Sequence, residues 1–159
     1  MTGVRLHDSP YPPAVRAGED DRPDRPAILA RRTFVGLPNQ VTAARRWLAQ
    51  LLDGFAAADE ILLASSELAA NAVLHSDSGL PRGTFTVRLA INPEYVRVEV
   101  LDQGGPWNSW REGADEMCER PPDTSQRGRG LDIVAAVTSA WGVTGDDEGR
   151  TAWCEFEAE

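Results

Sequence analysis

The stretch Ser65–Ser76, SSELAANAVLHS, decides how this chain is read. Ala, Leu and Val recur through it and Pro and Gly are absent, which is helical composition. Within it Glu67 and Asn71 stand four residues apart among Leu68, Ala69, Ala70, Ala72 and Val73. Such positions are offset by about 40° and lie roughly 6 Å apart on an α-helix, so both side chains leave one face. A carboxylate on a half-buried helix costs free energy unless something pairs with it. The amide oxygen beside it suits a hard cation such as Mg2+, which keeps most of its waters and takes few protein ligands. The carboxylate is then placed to polarise a hydroxyl or water held near that metal. Taken alone, the pair is better read as the solvated stripe of an amphipathic helix.

Downstream, SDSGLPRG reads as a loop, and TFTVRLAINPEYVRVEVLD as two β-rich runs joined by NPE, a hairpin signal. Val96, Val98 and Val100 alternate with Arg97 and Glu99. Asp102 ends the second run, and Gly104 and Gly105 follow. A carboxylate there faces the crevice that sheet and loop enclose, and it can accept a hydrogen bond from an exocyclic amine such as that of adenine. The two glycines let a ligand approach the backbone. On its own this piece is an ordinary Asp-Gly turn. The stretch QGGPWNSWREGADEMCERPPDTSQRGRG then spends more than twenty residues on Gly, Pro and charge. A loop of that length in a small domain is usually functional or disordered. LDIVAAVTSAW reads as a helix preceded by Gly128 and Gly130, with Arg127 and Arg129 beside them. Backbone N–H groups at a glycine-rich helix start form a site for phosphate. WGVTGDDEGRTAWCEFEAE gives a final hairpin turned by GDDEG.

Upstream, ILARRTFVG reads as a strand ending near Gly36, and PNQVTAARRWLAQLLDGF as a helix begun by Pro38 and ended by Gly54. Val41, Ala44, Trp47, Leu48, Leu51 and Leu52 fall at the spacings of one buried stripe. Asp59 is the expected N-cap of the helix that runs to about His75. Residues 1–27 contain SPYPP and GEDDRPDRP without periodicity and read as a disordered or loosely packed arm. The order β-α-α-β-β-loop-α-β-β predicts an α+β two-layer sandwich: a mixed, mostly antiparallel sheet with its helices on one face.

At 159 residues the chain suits one domain with a real core. Its net charge of -9 argues against direct nucleic-acid binding, and with no lysine in the chain any cationic contact to a phosphate must be made by arginine. No apolar run approaches a membrane span and the first residues lack an apolar h-region, so a cytoplasmic protein without membrane attachment is expected. Cys118 and Cys154 lack metal-ligand spacing and read as free thiols.

The motifs gain weight from their order: carboxylate and amide on a helix, strand-Asp-x-Gly, long loop, then Gly-x-Gly-Leu. In that order the chain from Ile28 onward resembles the GHKL ATPases, the superfamily of the Bergerat nucleotide-binding fold. ELAANAVLHS looks like its N box, DQGG like the first glycine box and GRGL like the second. The resemblance is closest to anti-sigma-factor serine kinases of the RsbW and SpoIIAB type, whose closing strand GRTAWCEF also resembles. It implies a histidine-kinase-like ATP-binding domain over 28–159, with ATP and Mg2+ as cofactors. It implies Asn71 as the Mg2+ ligand, Glu67 as the catalytic carboxylate and Asp102 as the acceptor of the adenine amine. Gly104 would lie against the base. Gly128, Arg129 and Gly130 would bring the lid to the phosphates, and Thr151 would assist adenine recognition. His75 is expected to serve the helix end. The implied function is an anti-sigma factor with serine kinase activity toward a STAS-type anti-anti-sigma protein. The alternative is a nucleotide-dependent module that grips a regulatory partner without efficient transfer. A sensor histidine kinase is not expected, since no helical hairpin bearing a phospho-accepting His precedes the module. Whether the protein forms a homodimer stays open.

Overall fold

A computed structural model describes residues 28–105 and 126–158. The arm over 1–27 and most of the long loop, Cys118 included, lie outside the described residues. The element order is the expected one: β1 (Ile28–Val35), α1 (Pro38–Leu51), α2 (Ala58–His75), β2 (Thr84–Ile91), β3 (Tyr95–Asp102), α3 (Gln126–Val137), β4 (Ala140–Asp146) and β5 (Gly149–Glu157). A single 3-10 turn, Asp77–Gly79, follows α2.

The strands form one sheet in the order β1-β2-β3-β5-β4. Every pairing is antiparallel, where a mixed sheet was expected. The reason is topological. β3 and β4 run the same way around α3, but β5 occupies the slot between them and turns one potential parallel contact into two antiparallel ones. Between β2 and β3, Asn92 Oδ1 accepts the backbone N–H groups of Glu94 and Tyr95 at 2.9 and 2.7 Å, which sets the turn read from NPE.

The three helices pack on one face. Pro38 opens α1 with no side-chain cap at Leu37. Ala44, Leu48 and Leu52 point inward, and Val41 and Trp47 pack at their edge. Leu51, expected in this stripe, sits on the rim, because Leu52 takes the inward position one turn beyond Leu48. Asp59 does not cap α2. The helix starts one residue earlier, the carbonyl of Ala57 accepts the N–H of Ile61, and Asp59 lies in the first turn, where its charge meets the positive helix end. Ile61, Ala64, Leu68, Ala69 and Ala72 of α2 are shut from solvent, and the small alanines allow close approach to the sheet. The inward residues of the strands are Phe34, Phe85, Val87, Leu89, Val96, Val98, Val100, Ala152, Cys154 and Phe156. Phe34 stacks on Phe85 at 5.5 Å and meets Trp47 edge-on at 6.0 Å. Each enclosed Leu or Val contributes about 1.5–3 kcal/mol of burial.

α3 departs from its reading. It begins at Gln126, so both glycines lie inside the helix, and it ends at Val137. Trp141 belongs to β4 and packs into the core. Among the described residues no helix is long and apolar enough to cross a membrane.

Candidate functional site

The strand parity that sends Val96, Val98 and Val100 into the core also sends Asp102 inward at the end of β3. Its side chain is only 5% exposed. Burial pushes the Asp102 carboxyl above its usual range, and the nearby Asp77 carboxylate adds to the rise. The Gly104 N–H, donated to Asp102 Oδ1 at 2.7 Å, and the Arg150 guanidinium 3.9 Å away pull in the opposite direction.

The two glycines that follow are held where only glycine sits without strain. Gly104 has φ 73° and Gly105 φ 102°. A Cβ on Gly104 would come within 2.2 Å of the Asp147 carbonyl. This backbone is laced to its neighbours on both sides. Asp77 N–H donates to the Gly104 carbonyl at 2.7 Å, and Gln103 N–H donates to Ser78 Oγ at 3.0 Å. Gly105 N–H donates to the Asp147 carbonyl at 2.7 Å, and the Arg150 guanidinium donates to the Gly105 carbonyl. Asp102 is therefore rigidly tied to the turn after α2 and to the β4–β5 turn.

α2 supplies the second part. Glu67 and Asn71 are both half-buried on this helix, and His75 lies half-buried in its last turn. α3 packs alongside α2, and a Cβ added to Gly130 would come within 2.8 Å of Glu67 Oε2. The glycine's value here is close approach to that carboxylate. Gly128 and Arg129 lie in the first turn of α3, whose leading N–H groups have no partner within the helix.

Thr151 is not brought to Asp102. The register sets Asp102 opposite Arg150 and Leu101 opposite Thr151, so the Thr151 side chain leaves the other face of the sheet. Arg150 and Asp77 were missed by sequence reasoning. The signal for Arg150 was present: Arg150, Ala152, Cys154 and Phe156 share one parity, and the last three are plainly apolar. Asp77 carried no such signal, because its place follows from the turn after α2.

The donor set fits a purine nucleotide better than a resident metal cage. Among the described residues no three His, Cys, Asp or Glu side chains group to hold a metal ion. One amide oxygen from Asn71 suits Mg2+ that is bound chiefly through phosphates and waters. A desolvated carboxylate beside two buried glycines without side chains suits a flat heterocycle carrying an amine.

The chain has the fold of known proteins. It matches the RsbU and RsbW domains of Rv1364c from Mycobacterium tuberculosis with a TM-score of 0.60 and 20% identity, covering 81% of this chain and 31% of that one. The chain thus spans about a third of that protein's length. It matches the SiaB–SiaC complex from Pseudomonas aeruginosa with a TM-score of 0.50 and 15% identity, covering 82% of this chain and 90% of that one. A search of curated proteins gives no match. Residues 34–155 match the family described as the histidine kinase-like ATPase domain, and the chain belongs to that family.

Proposed function

We propose that this chain binds Mg-ATP and transfers the γ-phosphate to a serine of a small STAS-type anti-anti-sigma partner, and that it restrains a sigma factor when that partner is modified. The observation that carries this reading is the close approach of α3 to the Glu67 carboxylate, where a Cβ on Gly130 would come within 2.8 Å of Glu67 Oε2, because it sets the Gly-x-Gly helix beside a side chain suited to take a hydroxyl proton. Family membership supports nucleotide binding. The fold shared with an RsbW-containing structure supports the regulatory role.

In this reading Asp102 accepts the adenine amine, with Gly104 against the ring. Arg150, rather than Thr151, is the β5 side chain at the adenine end. Asn71 holds Mg2+, which supplies charge neutralisation at the phosphates. Gly128, Arg129 and Gly130 bring the start of α3 to the γ-phosphate. The serine oxygen forms a bond to the γ-phosphorus as the bond to the bridging β–γ oxygen breaks. ADP leaves with that electron pair, and the serine proton passes to Glu67. Glu67→Gln keeps the shape but cannot take the proton, so single-turnover transfer to STAS-domain proteins should fall about 10²–10⁴-fold with ATP affinity unchanged. An equally active Glu67→Gln protein overturns the mechanism. ATP binding without transfer to any partner would favour the nucleotide-dependent binding module.

A further inference from the structure

Resting on the adenine reading of Asp102, we infer that Arg150 is a positioning residue that sets the nucleobase preference of the site, by holding Asp102 as the ionised acceptor that an exocyclic amine requires.

Asp102, Arg150 and Gly145 form the last cross-strand row on the helix side of the sheet. The row before it on that side, Val100–Ala152–Val143, is apolar and belongs to the core. An acid and a base thus close the end of an apolar layer, and the Arg150 side chain is only 4% exposed. A guanidinium so far from water is costly unless it meets polar groups. It meets two parts of the same turn. Its guanidinium donates to the Gly105 carbonyl, and its Nε lies 3.9 Å from Asp102 Oδ1. Gly145, at φ 100°, brings no side chain to the row. From the opposite side Asp77 closes on the turn, since a Cβ on Gly105 would come within 2.5 Å of Asp77 Oδ1.

The charges that act on Asp102 are Arg150 from β5 and Asp77 from the turn after α2. Asp146, Asp147 and Glu148 of the β4–β5 turn are exposed, and Glu67 and His75 of α2 are half-buried. Burial and Asp77 favour the protonated carboxyl, whereas Arg150 and the Gly104 N–H favour the ionised one. The Gly104 N–H remains when residue 150 changes, so the balance turns on the guanidinium. Protonation state decides what the group can recognise. A carboxylate only accepts hydrogen bonds, while a carboxylic acid also donates. The ionised form favours an amine over an oxygen at the same place on the base, and the acid tells them apart poorly.

Inosine triphosphate, which carries an oxygen where ATP carries the amine, is the probe. Calorimetry of the full chain with Mg2+ should show the wild type preferring ATP by at least about tenfold at neutral pH. In Arg150→Met the two affinities should come within about threefold of each other at neutral pH, and the preference should return at alkaline pH as Asp102 ionises. Arg150→Lys keeps the charge and should keep the preference; a lysine variant that folds and loses it overturns the proposal. In nucleotide-free protein, NMR of the Asp102 carboxyl carbon should show it titrating at higher pH in Arg150→Met than in the wild type. An unmoved titration, or a parallel loss of both nucleotides at every pH, overturns the role of Arg150. A wild type that binds the two nucleotides equally overturns the adenine reading itself, a failure distinct from an Arg150→Met protein that keeps the preference, which overturns the role of Arg150 alone.

Discussion

At Asp102, desolvation and charge pairing oppose each other, and desolvation dominates. A carboxyl raised above its ordinary 3.8 in the fold binds its proton more tightly folded than unfolded. Its contribution to stability is present below 3.8 and is lost as pH rises through the folded value. Asp102→Asn removes that loss. The variant should melt above the wild type at neutral pH and converge with it near pH 3, while its ATP affinity falls about tenfold or more through loss of a charge-assisted hydrogen bond. Melting below the wild type at neutral pH would show that pairing with Arg150 outweighs desolvation. At this scale the sequence was legible only in part. Glu67, Asn71 and Asp102 stood out because each is polar in an apolar frame. Thr151 was misplaced because a motif match ignores strand parity, and parity is what puts Arg150 across from Asp102. The alternation of Arg97 and Glu99 with valines gave no hint that both are buried, since strand alternation tells two faces apart but not what covers each.

Periodicity and punctuation made the elements legible. Asn-Pro-Glu and Gly-Asp-Asp-Glu-Gly marked both hairpins, and the stripe of α1 marked its inward face. Helix ends were less legible. Glycines usually punctuate, so the Gly128–Gly130 stretch read as a lead-in, yet α3 begins before it. The packing of α3 on α2 accounts for this, because a helix without a side chain at Gly130 can approach Glu67. Gly130→Ala tests that account. The atom a new Cβ meets is the end of a flexible side chain, so folding should be unharmed, and the gain in helix propensity is worth up to about 1 kcal/mol. The melting temperature should hold or rise while phosphotransfer drops at least about tenfold, because the carboxylate is pushed from its place. Unchanged transfer would remove Gly130 from the reaction geometry.

Across the whole molecule, the core on the helix side closes around residues drawn from every strand and helix, and Cys154 sits within it. Burial pushes the Cys154 thiol up to about 12. Thiol reagents should therefore modify Cys154 only at the rate of global unfolding, and mass spectrometry of labelled peptides in rising urea should place its reactivity on the unfolding transition. Labelling well below that transition would mean that the sheet opens locally at β5. The same core holds α2, β3 and α3 in one frame, and the proposed site draws Glu67, Asn71 and Asp102 from that frame. That a single rigid unit binds Mg-ATP is the central claim, and isothermal titration calorimetry of the full chain tests it most directly. The account predicts saturable binding of Mg-ATP at or below millimolar concentration, weakened in Asp102→Asn; no binding heat from the wild type at millimolar Mg-ATP at any temperature tried would contradict it.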